Sequence, residues 1–255
     1  MRRAALLLPL LIAVACGPAA ERVARPVPLP TGPAKTAFPQ PRADGRLPSL
    51  ASPLRYALAL DVDPNQPRFA GHVAIDIVLS APSTYVVLHG RTLDVTKATA
   101  TFLGSTLSAK VTARPTIGIH KSEELVLEFP EMLPAGSARL ELAWTAPFDD
   151  ELSGLYRVRE DGLWYAFTQF EPTDARRAFP CFDEPGFKVP FEVSVNVPKG
   201  MIAIANSPER SHTETAFRFE QTPPLPTYLL AIAVGAFEIR EAANRTRKPA
   251  CSHGG

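Results

Sequence analysis

From Leu54 to Val62 every second residue is apolar (Leu54, Tyr56, Leu58, Leu60, Val62), and the same alternation runs from Phe69 to Leu79, with Asp, Pro and Asn between the two runs. Successive strand residues point to opposite faces of a sheet, so a period of two marks a strand with one face buried. The two runs are expected to form a half-buried antiparallel pair. Further strand-like runs are Tyr85 to Leu88, Leu125 to Phe129, Ala138 to Trp144, Trp164 to Phe170, Phe191 to Val197, Met201 to Ala205, Ala216 to Phe219 and Tyr228 to Ile239. Helical spacing over ten or more residues is almost absent. Many short strands divided by Pro/Gly turns predict an all-β domain, an antiparallel β-sandwich or saddle-like sheet assembly, over residues 54–241. That span is long enough to bury a proper core.

The N-terminus has a different character. Arg2 and Arg3 precede an apolar run from Ala4 to Ala15 that is too short for a hydrocarbon core needing about 20 residues, so residues 1–16 read as an export signal. Ala13-Val14-Ala15-Cys16 is similar to a bacterial lipobox, which implies a lipidated Cys16 and a chain tied to the membrane of the cell envelope, at the outer membrane or periplasmic face. Residues 17–53 carry nine prolines and no apolar periodicity, the pattern of an extended tether. The closing segment, 242–255, is polar and patternless; it is expected to be an unstructured tail and reads as a truncation or frame change after the β-domain.

Composition excludes some function classes. The whole chain has 27 Lys+Arg and 26 Asp+Glu, a formal net charge of +1. No basic run is concentrated enough to select a nucleic acid. Five histidines, at 72, 89, 120, 212 and 253, include no His-Glu-x-x-His pair and hence no helical zinc site. Neither a Gly-x-Ser-x-Gly sequence nor a Gly-rich phosphate loop occurs. Cys181 reads as a buried free thiol, and a disulfide to Cys251 is open to it in an oxidising compartment.

The densest chemistry lies in Thr168–Pro185, TQFEPTDARRAFPCFDEP. Gln169 and Glu171 are two apart on a predicted strand that a Pro172-Thr173-Asp174 turn ends, so they leave the same face. A carboxylate and an amide carbonyl can together accept hydrogen bonds from an ammonium, which has three donors and no acceptor. Taken alone, such a pair is more often the wet side of an edge strand. Asp174, Arg176, Arg177, Asp183 and Glu184 form a mixed-charge group whose guanidinium–carboxylate forks are expected to fix the loop structurally.

Together with Gly154-Leu155-Tyr156-Arg157 and the stretch Pro226 to Glu238, this segment resembles the N-terminal β-domain of M1-family zinc aminopeptidases. The resemblance implies that Gln169 and Glu171 help to hold the amino end of a peptide, that the complete enzyme uses zinc, and that this module's partners are a peptide N-terminus and a zinc domain, missing or separately encoded. No metal ligand, cofactor or catalytic residue is expected in this chain, and by itself it is expected to be inactive. The competing expectation is a self-sufficient exported lipoprotein that binds peptides or a partner protein.

Overall fold

The computed structural model describes residues 38–114 and 123–240. Among them the strands are β1 (Ala51–Asp61), β2 (Arg68–Leu79), β3 (Ser83–His89), β4 (Asp94–Phe102), β5 (Ser105–Ser108), β6 (Lys110–Ala113), β7 (Glu124–Leu133), β8 (Gly136–Pro147), β9 (Gly154–Glu160), β10 (Leu163–Gln169), β11 (Phe191–Asn196), β12 (Ile202–Ala205), β13 (Glu209–His212), β14 (Ala216–Phe219) and β15 (Ile232–Gly235). Two single 3₁₀ turns, Ala175–Arg177 and Thr227–Leu229, are the helical elements of the described residues. The fold is all-β, as the alternation predicts.

The strands form three sheets. Eight of them run in the order β13-β14-β11-β1-β2-β8-β4-β5, four in the order β12-β15-β10-β9, and three in the order β3-β7-β6. The expected β1–β2 pair is present and antiparallel, with Tyr56 opposite Ile75 and Leu58 opposite Val73. On its other side β1 pairs with β11 in parallel, a departure from a purely antiparallel sandwich. One continuous core joins the sheets, with Val73 and Ile75 from the large sheet, Val86 and Leu127 from the small one, and Ala166 and Val234 from the four-stranded one.

Two boundaries differ from the sequence expectation. Strand β1 starts at Ala51, three residues inside the predicted tether, and Leu47 before it is buried. The register of β1 against β2 shifts between Pro53 and Arg55, so the bulge turns Leu54 out to 50% exposure while Tyr56 falls into the core. The predicted strand Tyr228–Ile239 is a strand only over Ile232–Gly235. Its first part bends into a 3₁₀ turn, in which Leu230 N–H bonds back to the Thr227 carbonyl and the Thr227 hydroxyl is held by Asp183. Residues 1–37 and 241–255, with the expected signal, Cys16, more than half of the expected tether and the whole of the expected tail, lie outside the described residues.

Gly71 and Trp144 connect this frame to the loop that matters most. They stand opposite each other in the β2–β8 ladder, and a Cβ on Gly71 would come within 2.4 Å of the indole ring. The absent side chain leaves room for the ring, which is fully buried and donates its Nε1–H to the Ala178 carbonyl at 3.0 Å. An aromatic on the central sheet thereby ties down the residues that follow Glu171.

Candidate functional site

The stretch after β10 is held by bonds that begin with charge. Asp183, buried, accepts from the Arg176 Nε at 2.9 Å and from the Thr227 hydroxyl at 2.6 Å, while the Arg176 Nη2 donates to the Asp183 carbonyl at 3.0 Å. The Arg176 Nη1 also lies 3.4 Å from a Glu123 carboxylate oxygen. A guanidinium forked over a carboxylate and its own backbone carbonyl fixes both ends of the loop between them. Arg177 reaches outward, donating to Asp149 at 2.6 Å. Its Nε sits 2.8 Å from an Asp174 oxygen but off the line of the N–H, so that contact is an ion pair rather than a hydrogen bond. Glu184 accepts from the Leu47 N–H at 2.8 Å. All five residues of the predicted mixed-charge group are thus engaged within the domain.

Backbone and aromatic contacts finish the clamp. His89 and Cys181 exchange backbone hydrogen bonds at 2.8 and 3.1 Å, and Phe182 N–H donates to the buried Tyr56 hydroxyl at 2.9 Å. Phe179 packs edge-on against Tyr56, Phe170 and Phe191. Cys181 is a free, buried thiol, pushed well above its ordinary pKa range by burial and by Asp183 nearby; Cys251 lies outside the described residues.

His89 is the residue that sequence reasoning passed over except as a failed zinc ligand. It is completely buried, its Nδ1 accepts from Asp183 N–H at 3.0 Å, and its Nε2 lies 3.0 Å from the Gly45 carbonyl. An acceptor at Nδ1 leaves the proton on Nε2, so the ring is the neutral tautomer that bridges the N-terminal segment to the loop. Burial first, and the positive charge of Arg176 second, hold its pKa down at about 3. Neither partner could be foreseen from spacing, since they lie 44 and 94 residues away.

Gln169 and Glu171 contrast with this network. Both are exposed, and neither side chain has a hydrogen-bond or ion-pair partner among the described residues. Gln169 ends β10 opposite Gly154 of β9, and Gly154 has φ +66° and packs its Cα against the Arg177 side chain, where any Cβ would meet Arg177 Cβ at 3.0 Å. The predicted strand stops at Gln169, one residue short of Phe170, so Glu171 lies beyond the pleat, joined to Pro172 by a cis bond, and its direction is set by the following turn. That turn is closed by Asp174 N–H on the Phe170 carbonyl at 2.8 Å. The site therefore offers two unengaged acceptors, one anionic, at the lip of a loop whose other charges are all committed.

The donors for a metal are not assembled here. His72 is exposed on β2, His212 is hydrogen-bonded to Glu209 on β13, and both nitrogens of His89 are used, so these residues do not fit zinc. Among the described residues no group of three or more His, Cys, Asp or Glu side chains comes together to hold a metal ion. His120 and His253 lie outside them.

Comparisons with known proteins agree with this architecture. The sequence pattern described as the Peptidase M1 N-terminal domain matches residues 52–229, from the start of β1 to the end of the second 3₁₀ turn. Similar curated proteins include aminopeptidase M1 of Arabidopsis thaliana, 36% identical over 208 residues, covering 78% of this chain and 24% of that protein. Aminopeptidase M1-A of Oryza sativa subsp. japonica is 34% identical over 209 residues, covering 79% and 24%, and human glutamyl aminopeptidase is 33% identical over 217 residues, covering 80% and 22%. The chain spans about a quarter of the length of these relatives. With the pattern covering well over half of the chain, it belongs to the family of M1 peptidase N-terminal domains.

Proposed function

We propose that this domain is the amine-recognising module of an M1-type zinc aminopeptidase, contributing Gln169 and Glu171 to the grip on a peptide's N-terminal ammonium. The observation that carries the reading is the unengaged state of these two acceptors beside a loop in which Asp174, Arg176, Arg177, Asp183 and Glu184 are all engaged. A carboxylate with no partner inside the domain keeps its oxygens open to an ammonium, and the family resemblance is what turns that opening into a role. The metal chemistry, in which a zinc ion activates water and polarises the scissile carbonyl, belongs to the rest of such an enzyme.

Alone, the chain is then expected to release nothing from an aminoacyl-anilide. Joined ahead of the remainder of the Arabidopsis relative, it should support turnover, and Glu171→Gln should lower kcat/KM by about ten- to a hundredfold, the worth of a hydrogen bond to a charged group. The kinetics of the two fusions decide it: an unchanged specificity constant would remove Glu171 from the grip.

The N-terminal sequence supports a further part of the proposal, an exported protein anchored through a lipid on Cys16 in the cell envelope. Mass spectrometry of the mature N-terminus checks this. A diacylated cysteine is the expected result, and a chain starting elsewhere would end the lipoprotein reading. The self-sufficient lipoprotein that binds peptides or a partner remains the second reading; its favouring feature is the same anchor, and activity of the fusion would disfavour it.

A further inference from the structure

The turns at the two ends of the strand run β1-β2-β8-β4 differ in polarity. At one end lie the β1–β2 turn with Asp63, the β3–β4 turn with Arg91, and the residues that follow β8, Phe148-Asp149-Asp150-Glu151. Arg68 opposite Pro147 and Asp94 opposite Thr145 mark the strand ends there, so charge lies in each of these connections. At the other end the turns are Ser80-Ala81-Pro82 between β2 and β3, Leu103-Gly104 between β4 and β5, and Pro134-Ala135 between β7 and β8, and none of the three contains a charged residue. Exposed apolar side chains gather at this second end: Leu54 at the β1 bulge, Val78 near the close of β2, Leu103 at the β4–β5 tip and Met132 beside the β7–β8 turn. The ladders set their level, since Val78 faces Ser52 on one side and Ser137 on the other, and Thr101 faces Arg139 two residues before Leu103. The first charges inward are Arg55, Asp76 and Arg139, which are paired with one another, and Glu131 stands exposed beside Met132.

Leu103 is the most telling of these residues. It is 90% exposed and has φ +46°, the left-handed region that Asn, Asp or Gly ordinarily occupies in a two-residue hairpin turn, and Gly104 follows at +81°. A leucine there gains little packing within the domain and forgoes the easier backbone, so its side chain suits something outside. Separate apolar tips on an uncharged end fit the boundary between lipid headgroups and acyl chains, into which side chains enter one by one. The course of the chain favours the same occupant. It enters the large sheet at this end, where the Leu50 carbonyl accepts from Ser80 N–H at 2.9 Å and Ala51 stands opposite Leu79, and farther back Phe38 lies edge-on against Tyr85, two residues into β3. A lipid on Cys16 would hold the membrane at high effective concentration near these tips. We propose that the end bearing Leu54, Val78, Leu103 and Met132 is a membrane seat, whose tips enter the lipid surface. The loop after Glu171 is tied through Arg177 to Asp149 at the opposite end, so a seated domain keeps it away from the lipid. The inference rests on the reading of the chain as exported and lipid-anchored.

The test takes the full chain with a hexahistidine tag in place of residues 1–16, held on vesicles of phosphatidylethanolamine and phosphatidylglycerol that contain a nickel-chelating lipid and brominated acyl chains. Leu103→Trp puts an emitter at the tip, and Leu152→Trp puts one at an exposed position beside the charged turn; Trp144 and Trp164 are common to both and to the parent. The expected result is that the brominated chains quench roughly half of the emission added by Leu103→Trp and leave that of Leu152→Trp unchanged, and that adding Met132→Glu to Leu103→Trp cuts the quenching about threefold. All three substitutions change exposed side chains, so the domain should stay folded. Equal quenching of the two emitters would overturn the proposal. So would sedimentation showing a dimer in solution that Leu103→Glu abolishes, because the end would then belong to a second copy. The tag separates the seat from the native anchor: selective quenching of Leu103→Trp, with a native N-terminus free of lipid, supports the seat and removes the lipidated cysteine, whereas equal quenching with a diacylated Cys16 removes the seat and leaves the anchor standing.

Discussion

Asp183→Ala is expected to destabilise the domain by about 3–5 kcal/mol, since removing one partner of a buried ion pair strands the other charge. The Arg176 side chain, 8% exposed, would keep its guanidinium in the interior without the carboxylate that accepts its Nε–H. The Thr227 hydroxyl and the Arg176 N–H would lose their acceptor at the same time. For a domain whose whole stability is of order 5–15 kcal/mol, that is a large share, and Tm should fall by roughly 6–20 °C. Thermal unfolding of the two proteins at neutral pH measures it. Asp183→Asn keeps an acceptor for Thr227 but cannot neutralise Arg176, so it should fall between. A loss under about 1 kcal/mol for the alanine variant would mean that the clamp is ornamental and that Glu171 is positioned by something else.

The second large effect depends on pH. His89 is neutral in the fold, with a pKa depressed from the ordinary 6.5 to about 3. Between those values the unfolded chain binds a proton that the folded one refuses, so stability rises with pH across that window. The contribution is complete above about pH 6.5 and is lost as pH falls towards 3, by up to about 1.4 kcal/mol per unit and about 5 kcal/mol in total. Urea unfolding at pH 7.5, 5.5 and 4.5 should show the loss, and His89→Gln, weaker at pH 7.5 through its imperfect replacement of both bonds, should show a flatter dependence on pH over the same range. If the two profiles run parallel, other groups govern the acid response.

Much of the frame was legible because large apolar residues alternate in it. Strands β1, β2 and β8 carry Leu, Ile, Val and Trp at every second position and were foreseen. Strand β4 was not, since the residues it buries are Ala98, Thr99 and Ala100, too small to stand out as a pattern, and its place is set by pairing with β8 and β5. Nor was β13, whose Glu-Arg-Ser-His is exposed throughout and is a strand only by pairing with β14. The mixed-charge loop was visible as a cluster in sequence, whereas the ties from Tyr56, His89 and Leu47 bring in residues 126, 94 and 137 positions away and leave no local trace. Glu171's position past the strand end was hidden for a related reason: alternation says which way a residue points only while the ladder continues.

The parallel join of β1 to β11 has a consequence during synthesis. Asp61 and Asn196 at its end are 135 residues apart, while β2 follows β1 after a short turn. As the chain emerges, β1 can pair on one side at once, but its other side stays an unpaired apolar edge until Phe191 appears, on the order of ten seconds later at ordinary translation rates. An open edge of that kind is a template for pairing with other chains. Products interrupted before Phe191 are therefore the ones that should aggregate, whereas those that extend past Asn196 have closed the edge from within.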